Sequence, residues 1–324
     1  MLISANVEEP EAVPPDQMEH SDCPLGCAPS DELVLEGRDL LHHIPGVFRV
    51  VRCGGCSLMR TNPRPSITSI SRFYPPEYAP FAPLQIHKGA DSLSMIERLG
   101  RRVIDARSTS IPLKAPGSLL EIGCATGSYL TKMKRLGWDV CGIEASPFAA
   151  AAAAANGLPV YAGRLDTVPA PAVPVDIVVA WMVLEHLHEP LAALESVRQW
   201  TRPNGWLALS VPDAGSIESR LFKENWFALD LPRHLFHFTV PTLRRTLDMT
   251  GWRVDRVLYQ RNVANAVGSV GYLLQQYSVF RPLGRAMAAF PFASKYWNAV
   301  VYPVSYLCAA LRQTGRITVW AQRK

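Results

Sequence analysis

From Gly117 to the C-terminus, short apolar runs alternate with stretches of helical spacing. SLLEIG (118–123) reads as a buried strand and Ser128–Leu136 as the helix after it. DVCGIEA (139–145) is a second strand. Ser146 and Pro147 then supply an N-cap and a first-turn proline, Ala149–Ala155 carry the helix, and Asn156-Gly157 stop it. VDIVVAWMVLEHL (175–187) holds a third strand, with a helix starting near Glu189-Pro190. TRPNGWLALSVP (201–212) turns into a fourth. PTLRRTLDMTG (241–251) predicts a helix and WRVDRVLYQ (252–260) a strand. Apolar helical stretches at about 263–279 and 285–311 precede the closing strand GRITVWAQ (315–322). Such alternation predicts an α/β domain over 113–324, its sheet largely parallel, with an apolar helical insertion at about 263–311. Upstream, residues 23–64 form a cysteine-bearing segment with the apolar run VFRVVRC. Residues 65–112 read as a helical connector, interrupted by the cluster FYPPEYAPF.

Charge divides the 324-residue chain unevenly. The net charge is +5, yet residues 1–22 hold six acids and no Lys or Arg, and no acid follows Asp255. The acidic, proline-bearing start has neither the basic and apolar regions of a signal peptide nor the Arg-rich character of a transit peptide, and is expected to be a disordered leader. A cytoplasmic location follows, and the seven cysteines are expected as thiols or metal ligands rather than disulfides. The apolar stretch Tyr296–Leu311 contains Asn298 and Pro303 and is too short to span a bilayer. Residues 256–324 carry nine basic residues, with Phe292, Tyr296, Trp297 and Tyr302 around the apolar segment. They read either as a soluble lid or as a peripheral contact with the inner face of a membrane.

The chemistry starts at EIGCATG, residues 121–127, between the first strand and its helix. Small residues there let a ligand approach the backbone, and the helix N-terminus offers free N–H groups. The dinucleotide pattern G-x-G-x-x-G is broken at Ala125 and Ser128, which disfavours a nicotinamide enzyme, and no Lys follows as in a phosphate-binding loop. Glu144, 21 residues after Gly123, ends the second strand, where a carboxylate accepts ribose hydroxyls.

EIGCATG (121–127), GIEAS (142–146), GRLD (163–166), DIVVAWMVLEHL (176–187) and RPNGWL (202–207), in that order, resemble class I S-adenosylmethionine-dependent methyltransferases. The resemblance implies a seven-stranded Rossmann-like sheet, mostly parallel with an antiparallel last strand. It implies S-adenosylmethionine as cofactor, with Glu121, Gly123, Cys124 and Gly127 along its methionine moiety and Glu144 on its ribose. Leu165 would lie against the adenine ring and Asp166 near its amino group. The donor is a cation, which suits an acidic cradle.

Residues 225–239, NWFALDLPRHLFHFT, resemble the substrate wall of a subgroup with a Trp followed by P-x-H-x-x-x-F, matched by Pro232, His234 and Phe238. His234 is the candidate general base, with a packing role as its alternative; His237 reads as structural. Glu185-His186 resembles a pair that helps hold a divalent cation in some methyltransferases. Met182 stands where those sites add an acid, which favours a hydrogen-bonded pair instead. Tyr74 and Tyr78 read as aromatic packing in the connector, or as residues closing over the cofactor. Cys23-x3-Cys27 and Cys53-x2-Cys56 form two knuckles spaced for one structural zinc, with buried thiols as the alternative. The same subgroup often begins with such a zinc-ribbon-like module. The function expected is methyl transfer to a small-molecule acceptor, such as a sugar, a glycan precursor, or a lipid-linked or secondary metabolite. Its rival is a non-catalytic zinc-bearing module docking on nucleic acid or membrane. Residues 23–64 lack Lys/Arg-aromatic stripes, which argues against nucleic acid.

Overall fold

The computed structural model describes residues 14, 17–75, 108–289 and 302–324. The chain enters through β1 (Met18–Glu19), followed by β2 (Asp31–Gly37), β3 (Phe48–Cys53), β4 (Met59–Thr61) and β5 (Arg64–Pro65). β1 pairs antiparallel with β5, so the end of the expected leader is built into the fold; residues 1–13 lie outside the described residues. Of the connector expected over 65–112, the described part contributes one 3-10 turn, Ile70–Phe73, and the rest lies outside.

Next come β6 (Ser118–Ile122), α1 (Ser128–Arg135), β7 (Asp139–Glu144), α2 (Pro147–Ala155), β8 (Val160–Ala162), β9 (Val175–Trp181), α3 (Pro190–Trp200), β10 (Thr201–Pro212) and α4 (Ile217–Phe222). Ser146 caps α2 as expected: its side chain accepts from Ala149 N, with Pro147 in the first turn. After α4 the chain makes β11 (Phe236–His237), α5 (Val240–Met249), β12 (Trp252–Tyr259), α6 (Ala264–Gln275), α7 (Arg281–Ala288), α8 (Tyr302–Ala310) and β13 (Arg316–Arg323).

Seven strands form one sheet in the order β12-β13-β10-β9-β6-β7-β8. β8, β7, β6, β9 and β10 run parallel, and β13 is antiparallel to both neighbours, β10 and β12. This is the sheet the resemblance implied. Parallel strands need crossovers, and the helices that provide them cover both faces. On the α3 and α5 side, Trp252 is fully buried and donates Nε1 to the Leu194 carbonyl at 3.1 Å. On the other side Leu119, Ile177 and Val179 pack with Leu130, Met133 and Ala153 of α1 and α2.

A four-stranded antiparallel sheet, β11-β4-β3-β2, joins the cysteine segment to the rest. β11 pairs with β4 through Phe236–Arg60 and His237–Met59. Cys23, Leu25, Cys53 and Leu58 share one apolar cluster with Leu235, Phe236 and Phe238 and with the main sheet. The module expected over 23–64 is therefore not a separately packed unit; its last strand comes from the 225–239 segment.

Candidate active site

The parallel strands aim their carboxyl ends at one edge of the main sheet, where open α/β folds bind ligands. At the end of β6 the turn 123–127 runs through positive φ at Gly123, Ala125 and Gly127. A Cβ on Gly123 would come 2.6 Å from Val183 Cγ2, and one on Gly127 would fall on Leu158 Cδ1. These glycines let the backbone lie close to Val183 and α2, besides admitting a ligand. Glu144, at the end of β7, accepts the Ala125 N–H on Oε2 and the Ser146 N–H on Oε1, both at 2.8 Å. Each oxygen keeps a further acceptor site. Burial pushes the Glu144 carboxyl up from its ordinary value, while the N–H groups of Ser146 and Ala125 pull it down.

Glu121 is buried below the turn, and its Oε2 has no hydrogen-bond partner. Burial first, and the neighbouring Glu144 second, hold its carboxyl well above the ordinary range. Two buried carboxyls with spare acceptor capacity fit a donor that carries a sulfonium and an ammonium group. Cys124 turns the other way: its thiol packs in the core, where a Cβ on Gly142 would come 2.6 Å from Sγ. Of the expected cofactor contacts, Cys124 retains only its backbone. Leu165 is half-buried against the main core beside Ile122 and Val183. Asp166 is exposed and paired with Arg164, whose Nε donates to Oδ1 at 3.0 Å.

Val183 leads from β9 into the 3-10 turn Leu184–His186, and its side chain lies against Gly123 of the glycine turn. His186 Nδ1 lies 3.0 Å from the Arg233 carbonyl and 2.9 Å from Tyr74 Oη. A carbonyl only accepts, so Nδ1 carries the proton and Nε2 keeps its lone pair. His234 repeats this arrangement with Nδ1 donating to the Ala228 carbonyl at 2.9 Å. Its Nε2 is 3.8 Å from Asp230 Oδ2. Burial, and then the other histidines, hold His234 well below the usual imidazole range; burial also lowers His186.

Glu185 is fully buried, and neither carboxylate oxygen has a hydrogen-bond partner. Burial raises its pKa to about 8. The sequence favoured a hydrogen-bonded Glu185–His186 pair, but the 3-10 turn sends the carboxylate into dry interior while His186 bonds elsewhere. One donor atom each from Glu185, His186 and His234 lie within 4.8 Å of one another, a set able to hold a divalent cation.

Arg233 anchors this wall. It is fully buried, forks onto Asp39 at 2.7 and 3.0 Å, reaches Asp230 at 2.7 Å, and donates to the Phe73 carbonyl. His237 bonds Thr61 Oγ1 at 3.2 Å, the structural role expected of it. Sequence reasoning missed Arg233 and the Tyr74–His186 bond, because their partners lie 194 and 112 residues away with no local pattern to link them. Tyr78 lies outside the described residues.

The four knuckle cysteines converge as well. Their sulfurs lie within 4.8 Å of one another, with Cys23 and Cys56 Sγ 3.4 Å apart, and none is in a disulfide. A Cβ on Gly55 would sit 3.1 Å from Cys27 Sγ and 3.8 Å from Cys53 Sγ, so glycine keeps that space open.

The sheet order, the glycine turn and its acid partner define a class I S-adenosylmethionine-dependent methyltransferase fold. A sequence profile described as a methyltransferase domain matches residues 95–257, half of the chain, and the protein belongs to that family. Its curated relatives include the mitochondrial ubiquinone biosynthesis O-methyltransferase of Schizosaccharomyces pombe, 30% identical over 51% of this chain and 62% of that protein. The ubiquinone biosynthesis O-methyltransferase of Cereibacter sphaeroides is 35% identical over 32% of this chain and 45% of that protein. The chain thus spans less than two thirds of the relatives it matches. Similar solved structures include an S-adenosylmethionine-dependent methyltransferase from Mesorhizobium loti (16% identity, 66% of this chain and 94% of that chain, TM-score 0.45). Another is a cyclopropane synthase from Mycobacterium tuberculosis (16% identity, 74% and 88%, TM-score 0.43). At that identity, neither bears on substrate or activity.

Proposed function

We propose that this protein transfers a methyl group from S-adenosylmethionine to an oxygen of a small-molecule acceptor lying against residues 225–239. One observation carries the reading: the His234 ring stands 4.6 Å from that of His186, which lies on the 3-10 turn that follows Val183, the residue against Gly123 of the glycine turn. The curated relatives named as O-methyltransferases support an oxygen acceptor.

In this reading Glu144 holds the ribose, Glu121 offers its unpartnered Oε2 below the turn, and Leu165 and Asp166 border the adenine. When bound, the donor supplies an electrophilic methyl on a cationic sulfur, which keeps the bonding electron pair as the methyl leaves. His234 Nε2 takes the proton of the acceptor hydroxyl. Neutral and desolvated, it is ready to do so at physiological pH. The wall and the 3-10 turn fix the line of attack, which supplies much of the acceleration in such transfers.

Cys23, Cys27, Cys53 and Cys56 would hold one structural zinc, supported by the convergence of the four sulfurs. Its role is to set β3 and β4, which in turn carry β11 beside His234. The methyl-transfer reading is tested by incubating the protein with metabolite extract and isotope-labelled donor, then following labelled products by mass spectrometry. A product that appears with wild type and not with His234→Ala supports it. Label-free extract in the presence of demonstrated donor binding contradicts it and favours the non-catalytic module.

A further inference from the structure

α6 and α7 form a helical hairpin, and its tip is unusually apolar for a protein surface. Tyr277 is 63% exposed, Val279 82%, Phe280 49% and Leu283 55%. Arg281 and Arg285, both exposed, stand among them. The hairpin is held rigidly. A Cβ on Gly284 would meet Gln275 N and Gly271 O, each at 2.8 Å, so the two helices touch backbone to backbone. Its base is fastened beside the acceptor wall: Tyr272 stacks on Phe227 at 5.3 Å, Ser269 Oγ accepts the Phe227 N–H at 2.8 Å, and Gln276 donates to Asn225 at 2.9 Å. A tip so anchored presents its apolar residues outward.

Four large apolar side chains flanked by arginines match the interfacial region of a bilayer, where apolar groups sink to the acyl boundary and cations meet headgroup phosphates. The charge of this end of the chain selects the lipid. No acid follows Asp255, so nothing in residues 256–324 repels an anionic surface. α8 exposes Val304 and Leu307, and the turn after it exposes Leu311 and Arg312. Among the described residues no helix is long and apolar enough to cross a membrane.

We propose that the tip of the α6–α7 hairpin, residues 277–285, docks this protein on an anionic lipid bilayer.

The test is co-sedimentation of the full chain with vesicles of phosphatidylcholine alone or of phosphatidylcholine mixed with phosphatidylglycerol. It reads lipid binding and is independent of whether methyl transfer occurs. The protein should pellet with the anionic vesicles at low salt, much less with the neutral ones, and be largely released at high salt. Two variants divide the contact: Val279→Glu with Phe280→Glu should abolish pelleting. Arg281→Glu with Arg285→Glu should raise the lipid needed for half-binding by about tenfold or more. Leu136→Glu, a change at a 58% exposed apolar residue after α1, should leave binding intact and controls for any added charge. Melting curves identify a variant that fails to fold, and the other pair then decides. Absence of anionic-vesicle binding overturns the proposal, as does equal loss with Leu136→Glu. So does a lipid-free dimer, seen by light scattering, that Val279→Glu dissociates, because the tip would then be an interface between copies.

Discussion

The imidazole of His234 stands edge-on to that of His186, with ring centroids 4.6 Å apart and planes at 73°. Both rings donate Nδ1–H to main-chain carbonyls, so each keeps an unprotonated Nε2, with His234 buried and His186 half-buried. Substitution of His234 by Ala is expected to lower kcat by about 10²–10⁴-fold while leaving donor affinity unchanged. Because burial holds the ring below the ordinary imidazole range, the acidic limb of the wild-type rate profile should fall below about pH 6.5. Steady-state rates across pH, with donor titrations beside them, check both parts.

Glu185 gives stability a definite dependence on pH. Its folded-state pKa of about 8 lies above its ordinary value of 4.5. Between these values the folded state holds a proton that the unfolded chain has released, so stability falls as pH rises through the window and levels off above about 8. Glu185→Gln removes this loss. Relative to wild type, the variant should gain on the order of several kcal/mol between pH 5 and pH 8, read from urea unfolding at each pH.

Arg233 and Asp39 form a fully buried pair that ties the loop after β2 to the segment 225–239. Removing one partner leaves an uncompensated buried charge, so Arg233→Met is expected to cost about 3–5 kcal/mol. The double variant Arg233→Met with Asp39→Leu should recover part of that loss. Thermal unfolding of wild type, Arg233→Met, Asp39→Leu and the double variant measures the coupling.

Much of this arrangement was legible in the sequence, unevenly. β6, β7 and β9 stand out because buried parallel strands are apolar on both faces, and Glu144 because an acid at such a strand end has few other reasons to be there. β8 gives no such signal: it is three residues long and largely exposed. Cys124, with no cysteine partner at metal spacing, also reads from the sequence as a core residue, and its thiol does pack in the core. The joining of β4 to β11 rests on pairs such as Arg60 with Phe236, distant in the chain and set by the tertiary fold alone.

The cysteine cluster makes a separate prediction. Purified protein should contain about one zinc per chain, and Cys53→Ser should release it and lower Tm. Because β3 and β4 carry β11, the same variant should also weaken acceptor turnover more than donor binding. Elemental analysis, calorimetry and rate measurements on one preparation separate these effects.

Titration calorimetry of S-adenosylmethionine against wild type, Glu144→Gln and Glu144→Ala tests the central claim most directly. The carboxylate that organises Ala125 and Ser146 is also the one assigned to the ribose. Wild type should bind the donor at one site per chain. Loss of a charged hydrogen-bond acceptor costs about 1.5–3 kcal/mol, so Glu144→Ala should weaken binding by roughly tenfold or more, with Glu144→Gln between the two. Equal donor affinity in wild type and a folded Glu144→Ala variant, or no binding to wild type, would contradict the account.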